Sequence, residues 1–169
     1  MKAISIEQTP EEAKLAFEVH RHASIAEMRL SRAEVRARRV SGSSPVAIEL
    51  SFKAKRLPSA VGALCVEVAF TMVGQAAGAP RNKTPGILVD CVYEVEYALE
   101  EGFEPSPIQI KAFKDGNAIF NAWPYFREFL QSSVQRMGLP PLVVPFLRLQ
   151  PKKSTIALPA KRATNSIPG

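Results

Sequence analysis

This chain of 169 residues is poorly supplied with reactive groups: it has two cysteines, two histidines and one tryptophan. Cys65 and Cys91 sit 26 positions apart in apolar strand patterns. A disulfide or metal pair is open to them, but reduced core thiols are the expectation. His20 and His22 are two apart, hence on different faces of a helix, and no cysteine or carboxylate cluster accompanies them. No serine-hydrolase elbow, P-loop or glycine-rich dinucleotide turn is present, so neither catalysis nor a cofactor or metal is expected. No run of about 18 apolar residues exists that could span a membrane. The opening Met1-Lys2-Ala3-Ile4-Ser5-Ile6-Glu7 meets an acid too early for a secretory signal, which makes cytoplasmic residence the default expectation.

What is there is the material of one globular domain. A chain of this length buries roughly 70% of the surface its unfolded form exposes, so no disulfide or metal is needed for a core. Net charge is +6, from 22 basic and 16 acidic residues. Lys152, Lys153, Lys161 and Arg162, with no acid among them, give the last segment +4, leaving +2 for the rest. A second basic cluster, Arg29, Arg32, Arg36, Arg38 and Arg39, falls in the first strand region. Neither cluster is interleaved with aromatics, so solvated basic surface is expected rather than a nucleic-acid site.

Thr9-Pro10-Glu11-Glu12 reads as a helix start, with Thr9 as cap, Pro10 at the first position and Glu12 completing a capping box. Helix-forming composition carries it to about Glu27. From Met28 to Arg39 the apolar alternation changes phase between Leu30 and Ala33, which predicts a strand with a bulge. Val46, Ile48, Leu50, Phe52 and Ala54 define a second strand, Leu64 to Met72 a third, and Ile87 to Leu99 the cleanest. Leu88 and Val92, on that strand's outer face, predict contact with another subunit. Without crossover helices between strands, the sheet should be antiparallel.

Helices follow. Ser106-Pro107-Ile108-Gln109 is a second capping box, with an expected break at Asp115-Gly116-Asn117 and a new helix capped by Asn121. Ile119, Trp123, Phe126, Leu130, Val134 and Met137 form its apolar stripe, widened by Tyr125 and Phe129, and Gly138 stops it. Strands then helices give an α+β class, a four-stranded antiparallel sheet with two C-terminal helices packed on it plus an N-terminal helix. The expected division is an extension over 1–27, a domain over 28–149 and a basic flexible tail over 150–169.

Asn121-Ala122-Trp123-Pro124-Tyr125-Phe126-Arg127-Glu128 resembles the Phe-Pro-Tyr-Ala-Arg-Glu signature of SecB-type export chaperones. The continuation to Gly138-Leu139-Pro140-Pro141-Leu142 is similar too, and the order of strands and helices agrees over about 28–149. The resemblance implies an ATP-independent holdase, a homotetramer built as a dimer of dimers. Such proteins bind unfolded polypeptides in apolar grooves for export, or protect an aggregation-prone antitoxin in toxin–antitoxin systems. The candidate client-binding residues are Leu139, Leu142, Val143, Phe146 and Leu149 on the proline-stiffened tail, with Tyr125 and Phe129 on the helix. The basic balance argues against docking a translocase motor through acidic surface. Two other readings stand beside this one. A hotdog-like acyl-thioester enzyme or lipid-binding module also wraps a sheet about a helix, but needs its helix before most strands. A basic adaptor would use the arginine strand and the tail.

Overall fold

The computed structural model describes residues 4–37, 46–76 and 86–152. Strand β1 (Ile4–Gln8) and helix α1 (Pro10–Arg21) precede four long strands: β2 (Ala23–Ala37), β3 (Val46–Leu57), β4 (Ala63–Ala76) and β5 (Ile87–Leu99). Helix α2 (Pro107–Phe113), a π-helical turn (Lys114–Ala118), helix α3 (Ile119–Arg136) and strand β6 (Leu147–Pro151) complete it. The long strands form one antiparallel sheet in the Greek-key order β2-β5-β4-β3, which leaves β2 and β3 as its edges. The class is α+β.

The core follows the period-two pattern of the strands. Leu64, Val66, Val68, Phe70 and Met72 of β4 lie buried beside Val89, Cys91, Tyr93, Val95 and Tyr97 of β5. Over them lie Ile110, Phe113, Ile119, Trp123, Phe126 and Leu130 from the helices. Phe126 stacks flat on Phe70 at 4.6 Å and 10°, while Trp123 meets Phe70 and Phe52 edge-on at 5.8 and 6.4 Å. Such contacts contribute on the order of 1 kcal/mol each beyond the area they bury.

The Thr9 box forms: Thr9 Oγ1 accepts from the Glu12 amide at 3.1 Å, and Glu12 Oε2 accepts from the Thr9 amide at 2.8 Å. Yet α1 stops at Arg21 rather than near Glu27, and β2 begins at Ala23 rather than Met28. Pairing with β5, which sets Ala23 opposite Leu99 and Ile25 opposite Tyr97, overrides local helix propensity. The expected phase change falls between Leu30 and Arg32, and a second one falls between Ile25 and Glu27.

The helical segment also differs from expectation. Asp115-Gly116-Asn117 does not break it; the path continues through the π-helical turn into α3. Gly116 is there because of packing. A Cβ at this position would collide with the Gln8 carboxamide, whose Nε2 donates to the Ala112 carbonyl at 3.2 Å. Asn121 caps nothing; it lies inside α3 and donates to the Tyr97 hydroxyl at 3.2 Å. Strand β1 has no counterpart in the sequence reading. It pairs in parallel with β6 from Ile4–Leu147 to Gln8–Pro151, and α1 packs on α2. Residues 4–21 are thereby fastened to the C-terminal half of the chain. The basic tail beyond Lys152 and the arginines at 38 and 39 lie outside the described residues.

Candidate functional site

Helix α3 ends at Arg136 and is turned off by Gly138, whose φ of 69° suits glycine, while the Leu139 amide turns back to the Val134 carbonyl at 3.3 Å. The next eight residues, Leu139–Phe146, are in neither helix nor strand. Pro140, Pro141 and Pro145 have no amide to donate. The segment is held by its carbonyls instead. Gln131 Nε2 donates to Leu142 O at 3.5 Å, Arg127 Nε to Val144 O at 3.0 Å, and Trp123 Nε1 to Pro145 O at 3.2 Å. These donors recur every four residues, so they form one row along α3, and the strap runs antiparallel to it. Val144 of the strap and Leu147 just after it are buried, whereas Val143 and Phe146 stay 76% and 73% exposed. Arg127 also covers one face of Phe146 at 4.5 Å.

A second apolar surface lies on β2. Opposed residues of antiparallel strands share a face. Ala23, Ile25, Met28, Leu30, Ala33, Val35 and Ala37 therefore lie on the same face as the buried residues of β5 opposite them, from Leu99 to Ile87. The two register shifts keep this apolar phase over the whole strand. The helices do not reach it: Ile25 and Leu30 remain 49% and 43% exposed. Tyr125 of α3, itself exposed, borders the strip through its contact with Tyr93, the partner of Leu30.

The outer face of the sheet carries charges of both signs. One cross-strand row reads Arg29, Glu94, Glu67, Lys55, and Arg29 is paired with Glu94. Arg32 reaches Asp90 at 3.3 Å and Arg36 reaches Glu34 at 2.6 Å. Arg29, Arg32 and Arg36 are thus engaged with acids in their own chain rather than open to an anion. Val92 is buried and Leu88 half-buried within the chain, and a larger uncovered apolar surface lies on the opposite face, at β2.

Nothing in the described residues is poised for nucleophilic work. Cys65 is opposite Glu96 on the outer face, and Cys91 opposite Phe70 on the inner one, so the two thiols cannot meet and both are free. Burial pushes the Cys91 thiol up to about 12, and burial with the nearby Glu96 and Glu94 raises Cys65. His22 stacks on Phe103 at 4.5 Å and pairs with Glu100. Among the described residues no three His, Cys, Asp or Glu side chains gather at metal-ligand spacing, and no helix is long and apolar enough to cross a membrane.

No family model matches this sequence, and no curated protein is similar to it. Solved structures are. A Mycobacterium tuberculosis SecB-like chaperone, in complex with a ChAD peptide from the HigA1 antitoxin, superposes with a TM-score of 0.70 at 18% identity. The match covers 81% of this chain and 99% of that one. The chain has the SecB-like fold. A Streptococcus agalactiae protein of unknown function also matches, with a TM-score of 0.42 at 10% identity over 73% of this chain and 97% of its own.

Within this SecB-like fold the signature residues acquire definite tasks. Asn121 ties α3 to Tyr97, while Trp123 and Arg127 hold the strap. Of the seven candidate client residues, Val143, Phe146, Leu149 and Tyr125 are exposed; Leu139, Leu142 and Phe129 are half-buried against the core. The strip on β2 escaped the sequence reading because Ile25 was assigned to a helix and the arginines drew attention to the other face. The signal for it was present: two phase slips that keep apolar residues on one side serve no purpose in a strand that stays in water.

Proposed function

We propose that this chain is a SecB-like holdase: it binds unfolded, aggregation-prone polypeptides on apolar surface, without nucleotide, metal or catalysis. The observation that carries this reading is the conjunction of a SecB-like fold with apolar side chains left uncovered on both the α3–strap unit and β2. Contiguous exposed apolar surface on a folded chain marks an interaction site. Exposed Val143, Phe146, Leu149 and Tyr125, with the rims of Leu139, Leu142 and Phe129, are the client-contacting residues. The client is of the antitoxin kind rather than an exported precursor. Support comes from the antitoxin peptide on the mycobacterial chaperone and from the net charge of +6, which is the wrong sign for docking a motor through acidic surface. The working unit is the expected core of residues 28–149 together with β1, α1 and the start of β2, which are joined to it, and its place is the cytoplasm.

The uncovered strip on β2 and that strand's unpaired outer edge support assembly: two copies apposed through β2 and, pairwise again, a tetramer. A long exposed edge strand is otherwise an aggregation hazard. The test of the main reading is dilution of a urea-unfolded client into several-fold excess of the chain, followed by light scattering. Slowed aggregation is expected; aggregation at the unassisted rate for every client tried removes the reading. A monomeric mass by multi-angle light scattering removes the assembly.

A further inference from the structure

We propose that the donor row Trp123, Arg127 and Gln131 is a binding site for the backbone of an extended polypeptide, and that the strap is its resident occupant. This deepens the holdase reading and rests on it for its physiological meaning. Each residue of the row points an N–H donor at a strap carbonyl, that of Pro145, Val144 or Leu142. A site that reads chiefly carbonyls is indifferent to sequence and tolerant of proline. It selects for an extended chain with apolar side chains to place where Val144 now lies buried. Its ligand class is therefore apolar, extended polypeptide, proline-containing segments included.

The fastening of the strap fits an exchangeable occupant. From Leu139 to Phe146 it belongs to no sheet or helix, and its far end is secured by the five-residue parallel pairing of β6 with β1. A two-stranded ribbon outside the main sheet is the least stable kind of strand pairing. Opening of β1–β6 frees the end of the strap, and an incoming segment then takes its place along α3.

The probe is a labelled synthetic peptide with the strap's own sequence, residues 139–149, titrated into the full chain. The chain carries Ser5→Cys and Arg148→Cys, which face each other across β1–β6, in a Cys65→Ser background. The reduced protein should bind the peptide, and the oxidised protein should bind it at least about tenfold more weakly, with reductant restoring the affinity. Equal affinity in both states, or no binding by the reduced form, overturns the proposal. In the unaltered chain, the amides of Leu142, Val143 and Val144 should exchange with deuterium far faster than those of Val66 to Phe70. Equal protection also overturns it. If the peptide exchanges as stated but unfolded clients aggregate regardless, the holdase reading falls and strap exchange stands.

Discussion

Strands β2 and β4 both flank β5, both run antiparallel to it, and both set apolar residues opposite its buried face. On β4 those residues vanish under the helices; on β2 all but half-buried Ala23 and Met28 stay in water. The difference owes little to the strands' own hydrophobicity. It is set by where one helix lies, centred on Trp123 and Phe126 above Phe70 and Phe52. Strand patterning states which face is apolar, and the placement of the covering layer decides whether that face becomes core or binding surface.

The contrast is sharpest under truncation. Phe70→Ala on β4 should cost about 3–5 kcal/mol in a denaturant titration, because the ring is fully buried and leaves a cavity. Leu30→Ala on β2 should cost under about 1 kcal/mol in a dilute monomer, since roughly half of that side chain's burial is missing to begin with. Comparable losses at the two sites in a monomer would erase the distinction between the strands.

The cover itself can be loosened from behind. Gly116→Ala forces the Gln8 carboxamide away from the π-helical turn and should cost about 1–3 kcal/mol by overpacking. Adding Gln8→Ala to the same protein should recover much of it. Failure to recover would mean that Gly116 serves backbone geometry rather than contact with β1.

The two thiols compare the two faces chemically. Burial raises Cys91 from 9.0 to about 12, and Tyr97 from 10.0 to about 12, so the fold favours their neutral forms. Their contribution to stability is complete below pH 9 and is lost as pH rises toward about 12. An alkaline titration followed by circular dichroism should show unfolding in that window. At neutral pH, iodoacetamide should label half-exposed Cys65 well before buried Cys91. Equal labelling would show that β5 is opened along with β2.

The smallest effect on the fold should come from Leu30→Arg, within about 0.5 kcal/mol for an exposed position. Its effect on assembly should be large: the mass by light scattering should fall if β2 strips meet across a two-fold axis. An unchanged oligomer would place the interface elsewhere.

Much of this was legible in the chain. The alternations of β3 to β5, the boxes at Thr9 and Ser106, and the glycine stop at Gly138 are local signals, and each stands where the sequence puts it. What was illegible is non-local. β1 and β6 are five residues each and lean on each other, so neither carries a period worth reading. Gly116 looks like a breaker because its reason, Gln8, lies far away in sequence. For the candidate site, the apolar tail was visible, but not that Trp123, Arg127 and Gln131 would seize its carbonyls. Side-chain donors give no hint in sequence of which acceptor they will find.

Joining β1 to β6 also sets a schedule. Strand β1 has its partner roughly 140 residues later in the chain, a delay of about 7–28 s at common synthesis rates. Until then β1 has no mate, and the strap has no anchor. A nascent chain of this protein is thus itself an unfolded polypeptide with an unlatched end until β6 is made.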